Sequence, residues 1–191
     1  MILHATRYGR LFDWLVQRLN RSMLSKAEGY TPKQIGMVDI FGFEIFEHNS
    51  FEQLCINYCN ERLVQHSNQY TFVMEEQFYK EEGVEHKFLK PKDLSPSLLV
   101  VDSKTEPLGL LVALDDESAL VTGSDSAWIS KSEQRFKGSK FLKFDVKQKM
   151  DSSLSFQVMH YAGEVKYNAT GFVVKNRDTQ WQNQYELCMS S

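Results

Sequence analysis

The sequence predicts a mixed α/β fold with α+β-like character, and three patterns carry this prediction. A short apolar run at residues 35–40 ends in acids and a glycine, as a strand buried on both faces does at its carboxyl end. A helical pattern then runs from Asn49 to Glu82. Residues 141–146 and 154–159 alternate apolar and polar side chains, which indicates half-buried antiparallel strands.

Length and composition favour one domain. The 191 residues suffice for a single sizeable core. A net charge of −3 argues against an electrostatic nucleic-acid binder, and three cysteines fit a reducing cytosol better than a disulfide framework. Arg7, Arg10 and Asp13 interrupt any apolar signal core, and no run approaches the ~20 apolar residues of a membrane span. We therefore expect a cytoplasmic protein with no nucleic-acid partner and no membrane span.

The first predicted element is an amphipathic helix over residues 8–24. Leu11, Leu15, Leu19 and Met23 recur every four residues and form one apolar face. Such a face usually packs on a protein core, so we expect it to be buried. The apolar run at residues 35–40 follows as a strand.

The long helix has recognisable ends. Asn49 or Ser50 is a suitable N-cap, and Ser50 with Gln53 has the capping-box pattern. With Gly83 as C-cap, the helix would be roughly 50 Å long. Residues 65–69 are a polar interruption, where we expect a bend or a loosening. The predicted apolar positions are Phe51, Leu54, Cys55, Tyr58, Leu63, Tyr70, Val73 and Phe78.

Cys55 and Cys59 lie four residues apart on this helix, and His66 follows. Two thiols at this spacing can ligate a metal, but no second close Cys/His pair completes a zinc site. We expect buried apolar thiols and an ordinary histidine instead.

The later part of the chain predicts shorter elements. Residues 108–117 begin as an apolar helix and end in three acids, Asp115, Asp116 and Glu117. Acids at a helix C-terminus oppose the macrodipole, so we expect the helix to end there and the acids to be solvated rather than catalytic. Residues 124–138 predict another helix, and residues 162–163 a tight turn within a hairpin.

The acid–x–x–Gly–x–acid turn alone fits either a phosphate-linked role or an ordinary turn with solvated acids. Ile40 breaks the Asp-Phe-Gly triplet of kinases. The longer strings are more specific. Asp39-Ile40-Phe41-Gly42-Phe43-Glu44, followed by Asn49-Ser50-Phe51-Glu52-Gln53-Leu54-Cys55-Ile56-Asn57-Tyr58, resembles the myosin motor domain, where switch II runs into the relay helix. Residues 7–16, 104–114 and 160–178 resemble further parts of that family, whereas His48 and residues 65–70 depart from its pattern.

The resemblance implies a partial P-loop NTPase-type motor fold. Residues 1–180 would be part of the motor domain, its lower actin-binding half, and residues 181–191 an unassigned tail. The expected parts are a strand of the central sheet, the long relay helix and a small antiparallel hairpin region. The family's ATP site also needs a P-loop Gly-Lys-Ser/Thr and a Ser-Ser-Arg of switch I, and neither string occurs here. We therefore expect this sequence to contain only one of the family's three phosphate-contacting segments, namely switch II.

The resemblance also assigns roles to single residues. As the catalytic pair, the Gly42 amide would contact the γ-phosphate, and Glu44 would pair with a switch I arginine and help place the attacking water. Asp39 would hold Mg²⁺ through water, and Phe41 and Gly42 would complete the cofactor-binding set. The relay positions would be Phe43, Ser50, Phe51, Asn57 and Asn60. The actin-binding positions would be Lys104, Pro107, Leu108, Leu110 and Leu111.

These roles predict a fragment of an actin-based, ATP-driven motor on the cytoskeleton, with F-actin and the remainder of a myosin heavy chain as partners. ATP and Mg²⁺ would bind the complete motor, and we expect this chain alone neither to bind nor to hydrolyse ATP. The alternative is a non-catalytic actin-binding or motor-interacting protein derived from a truncated myosin head. A third interpretation, an unrelated α+β enzyme, holds only if the match to the long sequence strings is a coincidence.

Two consequences follow for the chain by itself. Glu44 lacks its arginine partner, so we expect its carboxyl group to be solvated or protonated. The family's neighbours of the strand at residues 35–40 come from segments outside this sequence, and unpaired strand edges favour association. We expect a marginally stable chain that associates readily.

Overall fold

The computed structural model describes residues 2–23, 35, 37, 39–85, 87, 92–144 and 154–177. The chain divides into two units, Met1–Asp39 with Asp178–Ser191, and Ile40–Arg177. Of the helices in the described ranges, none is long and apolar enough to cross a membrane. The tail at residues 181–191 and the strand positions Asp145 and Val146 lie outside the described residues.

Helix α1, Ile2–Met23, is the first unit's main described element. The predicted helix is confirmed, but the expected burial of its apolar face is wrong. Leu11, Leu15 and Leu19 are 62%, 45% and 50% exposed. The unit's other described residues, Ile35, Met37 and Asp39, are themselves exposed, so they do not cover this face.

The strand expected at residues 35–40 is wrong wherever the structure describes it. Ile35, Met37, Asp39 and Ile40 have no strand conformation, and the side chains of Ile35 and Met37 are fully exposed. Gly36 and Val38 lie outside the described residues. A strand depends on hydrogen bonds to a neighbouring strand, and an apolar run without such a neighbour gains nothing from the strand conformation.

In the second unit a long helix begins after Ser50, as predicted. It consists of α2, Phe51–Asn68, a π-helical segment, Gln69–Met74, and α3, Glu75–Glu81. The Ser50 amide donates to Gln53 Oε1 at 3.0 Å, which confirms the capping box. The π-helical segment shares only Gln69 with the polar interruption at residues 65–69, so the loosening lies just beyond its predicted place.

The long helix ends at a glycine, as predicted. Gly83 has φ +68°, a left-handed conformation that only glycine adopts without strain. The Gly83 amide donates to the Lys80 carbonyl and the Val84 amide to the Tyr79 carbonyl, at 3.3 and 2.9 Å. This is the Schellman arrangement, which satisfies carbonyls that the last helical turn leaves free.

In the second half of the unit, the described residues form four more helices and a small sheet. The helices are α4, Ser95–Asp102, α5, Leu110–Ala119, α6, Asp125–Arg135, and α7, Phe172–Asn176. The strands are β1, Leu142–Phe144, β2, Ser155–Met159, and β3, Glu164–Asn168, antiparallel in the order β1-β2-β3. In register, Val158 of β2 lies opposite Leu142 and Val165. The predicted half-buried antiparallel strands are confirmed, and the fold combines helices with a small antiparallel sheet.

The core lies between these helices and one face of the sheet. Trp128 is completely buried, stacks on Phe172 at 5.3 Å and meets the edge of Phe156 at 5.6 Å between ring centroids. Its Nε1–H donates to the Leu110 carbonyl at 3.2 Å, so the ring buries no unpaired donor. Leu54 brings the first turns of α2 into the same core.

Helix α5 ends within two residues of its acids, close to the predicted place, but the expected solvation of Glu117 is wrong. The helix continues to Ala119 because Glu117, only 3% exposed, accepts hydrogen bonds from Lys131 Nζ at 2.6 Å and the Ser124 amide at 3.2 Å. These donors offset the unfavourable interaction of an acid with the helix C-terminus. Asp115 and Asp116 are exposed, as expected.

Candidate functional site

Residues 40–44, here called the glycine turn, precede the long helix. Gly42 is exposed, and a Cβ atom built on it would have no other atom within 4 Å. Its backbone is therefore open to close approach by a ligand. Phe41 is 72% exposed, whereas Phe43 is half-buried with its ring edge-on to His160, 5.4 Å between centroids.

Glu44 is held mainly through its backbone. Asn57 Oδ1 accepts from the Glu44 amide at 2.7 Å, and Asn57 Nδ2 donates to the Glu44 carbonyl at 2.7 Å. The half-buried carboxylate accepts from Gln53 Nε2 at 3.3 Å. Gln53 and Asn57 are four residues apart, so they share a face of α2. Ion pairs among the described residues do not include Glu44.

The loop after the turn is fastened to the sheet by Asn49. Its Oδ1 accepts from the Phe46 amide at 2.9 Å, while its Nδ2 donates to the carbonyls of Phe46 and Lys166 at 2.9 and 3.0 Å. The Asn168 amide donates to the Asn49 carbonyl at 2.9 Å. The start of α2 is thereby positioned against β3.

A buried polar network extends beyond Asn57, and sequence reasoning missed it. Asn57 Nδ2 also donates to the Tyr167 hydroxyl at 2.9 Å, which lies 2.8 Å from His160 Nε2. His160 Nδ1 lies 2.8 Å from Glu61 Oε2. Glu61 Oε1 accepts from Ser97 Oγ at 2.5 Å and from the Tyr161 amide at 2.9 Å. The members of the network are Asn57, Glu61, Ser97, His160 and Tyr167.

One arrangement of protons satisfies this network with a neutral imidazole. The Tyr167 hydroxyl accepts from Asn57 and donates to His160 Nε2, and His160 Nδ1–H donates to the Glu61 carboxylate. Burial raises the pKa of Glu61, but the hydrogen bonds from His160 and Ser97 outweigh burial, so its pKa lies below the ordinary value. Burial raises the pKa of Tyr167, which keeps its hydroxyl protonated.

The sequence contained one signal for this network. Asn57 and Glu61 fall on the helical face that begins with Leu54, and polar residues on an apolar face need partners when buried. Their partners His160 and Tyr167 are about a hundred residues away, which no local pattern reveals. Asn60, by contrast, donates to the Ile56 carbonyl of its own helix at 3.0 Å and does not reach the glycine turn.

The predicted actin-contact residues surround the loop between α4 and α5. Lys104 and Pro107 are exposed, and Leu108 and Leu111 are half-buried. Leu110 is completely buried in the core, so in this structure its side chain offers no surface to a partner. The Gly109 amide donates to the Ser103 carbonyl at 2.8 Å, which closes the loop on itself.

The described residues offer few ligands for a metal ion. They contain no group of three or more His, Cys, Asp or Glu side chains placed to hold a cation. In the first unit, Asp39 is exposed. One carboxylate suits Mg²⁺ only when phosphate oxygens and water supply the remaining ligands.

Comparison with known proteins gives a consistent result. Residues 2–191, including the tail, match the family described as myosin head (motor domain). The high molecular weight form of myosin-1 from Acanthamoeba castellanii is 41% identical over 96% of this chain, which covers 11% of that protein. Myosin-1 of Arabidopsis thaliana is 41% identical over 96% of this chain, which covers 15% of that protein. Myosin-2 of Saccharomyces cerevisiae is 40% identical over 96% of this chain, which covers 12% of that protein.

The chain thus spans about an eighth of the length of these relatives, while nearly all of it aligns with them. The family match and the similarity to these relatives agree with the resemblance that the sequence strings at residues 39–44 and 49–58 indicate. This chain belongs to the myosin head (motor domain) family.

Proposed function

We propose that this chain is the part of an actin-based, ATP-driven motor that contains the phosphate-responsive switch II, the relay helix and an actin-contact loop. The double hydrogen bond between Asn57 and the Glu44 backbone is the main support for this proposal. Because one side chain of α2 holds both the backbone N–H and the backbone C=O of Glu44, a movement of the glycine turn would displace this helix or break both hydrogen bonds.

In this proposal each residue of the turn has a limited task. The open backbone at Gly42 fits an amide donor to the γ-phosphate, and Asp39 fits an outer ligand that holds Mg²⁺ through water. Among the described residues, the Glu44 carboxylate has a single long hydrogen bond, from Gln53, so it fits a partner to a cation from another segment. Mg²⁺ would neutralise phosphate charge when bound. Phe43, Ser50 and Phe51 would link closure of the turn to the long helix.

The proposed actin surface consists of Lys104, Pro107, Leu108 and Leu111. We expect Leu108→Asp to weaken co-sedimentation of the chain with F-actin by about tenfold, because a charge would replace an apolar contact. Val121→Asp is the matched control, since Val121 is 97% exposed and lies outside this surface. Equal binding by both variants would reject the proposed surface.

By itself this chain supplies one of the family's three phosphate-contacting segments, so we propose that it does not turn over ATP alone. Titration with a fluorescent nucleotide should reveal no micromolar, Mg²⁺-dependent binding, and such binding would contradict the proposal. The alternative is a non-catalytic actin-binding or motor-interacting protein from a truncated head. Sequencing the full transcript separates the two, because an in-frame Gly-Lys-Thr loop upstream identifies part of a motor.

A further inference from the structure

A continuous line of buried hydrogen bonds connects the glycine turn with α4. It runs from the Glu44 backbone through Asn57, Tyr167, His160 and Glu61 to Ser97, with every contact between 2.5 and 2.9 Å. The five side chains are at most 5% exposed. They come from α2, the β2–β3 hairpin and α4, so the line crosses three elements.

We propose that Glu61 and His160 are positioning residues that couple the position of α4 to that of the glycine turn. Among the described residues, the line of hydrogen bonds from the Tyr167 hydroxyl to Ser97 passes through these two side chains. A displacement of α4 would separate Ser97 from the buried carboxylate of Glu61, and the carboxylate would then shift towards its remaining donors, the Tyr161 amide and His160. That shift moves His160 and Tyr167, and hence Asn57, whose amide holds Glu44.

The physical reason for coupling is that most polar atoms of the network are bonded within it, although Ser97 Oγ also lies 2.9 Å from a second acceptor, the Leu94 carbonyl. Each oxygen of Glu61 is bonded, and both nitrogens of His160 have a partner. Inside a protein an unpaired polar group is costly, so bonds in such a network form and break together rather than singly. Phe43, edge-on to His160, provides a second contact between the turn and the same imidazole.

The position of α4 gives this coupling a use in a motor. Helix α4 ends at Asp102 and leads directly into the loop with Lys104 and Pro107. A partner bound to that loop would therefore influence the glycine turn by way of α4. This use depends on the proposed function, whereas the coupling itself does not.

Hydrogen exchange of the full-length chain tests the coupling without actin or nucleotide. The Glu44 amide donates to Asn57, so its exchange rate reports the near end of the line. The Trp128 amide, which donates to the Ser124 carbonyl in α6, serves as a reference for global opening. We expect Ser97→Ala to raise the ratio of Glu44 to Trp128 exchange by about twofold or more, since about twofold is the lower end of the coupling between residues in one network.

Two further variants make the test specific. Ser132→Ala removes a buried hydroxyl that has no hydrogen-bond partner, so it should leave the ratio unchanged. Tyr167→Phe keeps the ring that stacks on Phe156 but removes the hydroxyl link, so Ser97→Ala should have no further effect in that background. The proposal fails if Ser97→Ala raises both exchange rates equally, or acts undiminished in Tyr167→Phe. Loss of actin binding would leave this result untouched, which keeps the two proposals separable.

Discussion

Glu61 illustrates how a single residue can be both costly and useful. Its side chain is almost completely buried, yet it accepts hydrogen bonds from Ser97, Tyr161 and His160. A buried carboxylate is tolerated only when such donors replace water. The residue therefore ties α2 to α4 and to the hairpin, and its ionisation contributes to stability.

Acid should remove this contribution. Because the folded-state pKa of Glu61 lies below its ordinary value of 4.5, its stabilisation is present above that pH and is lost as the pH falls through the folded pKa. We expect Glu61→Gln to lower the free energy of unfolding by about 1–3 kcal/mol at neutral pH and to flatten its decline in acid. Urea unfolding across this range measures both effects.

Glu47→Gln is the control for the pH experiment, since Glu47 is exposed. It should leave both the stability and its pH dependence near those of the wild type. A Glu61→Gln variant whose stability declines in acid as steeply as that of the wild type would show that other carboxyl groups cause the decline.

Two asparagines on α2 provide a matched pair. Asn57 is completely buried and bonds the Glu44 backbone and Tyr167, whereas Asn60 bonds only the Ile56 carbonyl. We expect Asn57→Ala to cost about 2–4 kcal/mol, since it leaves several buried groups unpaired, and Asn60→Ala to cost under about 1 kcal/mol. Chemical denaturation measures the free energy of unfolding of both variants. A similar loss of stability in the two would contradict the assigned role of Asn57.

At the scale of elements, the long helix has two dissimilar halves. The first turns of α2 place Leu54, Asn57 and Glu61 in the interior, whereas no described residue of the π-helical segment or α3 is buried. Among the described residues, the first half of the helix is thus packed in the interior, and the second half has no buried side chain.

The loop between α4 and α5 depends on the absence of a side chain at Gly109. A Cβ atom there would lie 2.5 Å from the Ser103 nitrogen and 2.6 Å from the Asp102 nitrogen, and these backbone atoms cannot move aside. We expect Gly109→Ala to destabilise the chain by about 1–3 kcal/mol and to weaken actin co-sedimentation through the displaced loop.

Gly9→Ala gives the opposite expectation for a glycine. A Cβ atom at Gly9, inside α1, has no neighbour within 4 Å, and alanine favours a helix interior by roughly 0.5–1 kcal/mol. Helical content by circular dichroism should be retained or increased. If Gly109→Ala proved equally harmless, the close approach of the loop to α4 would be wrong.

At the scale of the whole molecule, exposed apolar surface is the main feature. The apolar face of α1 is largely exposed, as are Ile35 and Met37. Contiguous apolar surface of this kind favours association in water. We expect the average mass in sedimentation experiments to rise above 22.2 kDa as concentration increases.

Charges on that face should reverse the association. Leu11→Glu with Leu15→Glu should shift the chain towards the monomer, because both positions are exposed members of the face. Gln17→Glu with Asn20→Asp adds the same charge at exposed polar positions and should have little effect. A wild-type chain that stays monomeric and melts cooperatively would contradict this prediction.

The sequence by itself determined the elements whose causes are local. The capping box at Ser50, the left-handed stop at Gly83 and the alternation in β2 and β3 each depend on neighbours within a few residues, so pattern reasoning found them. The long strings at residues 39–58 were specific enough to indicate the family. Only the tertiary structure decided which polar groups are buried together and which apolar faces stay exposed. Glu61 contacts His160, which is 99 residues away along the chain. The run at residues 35–40 would need another strand to pair with. Neither kind of long-range contact produces a periodic pattern in the sequence.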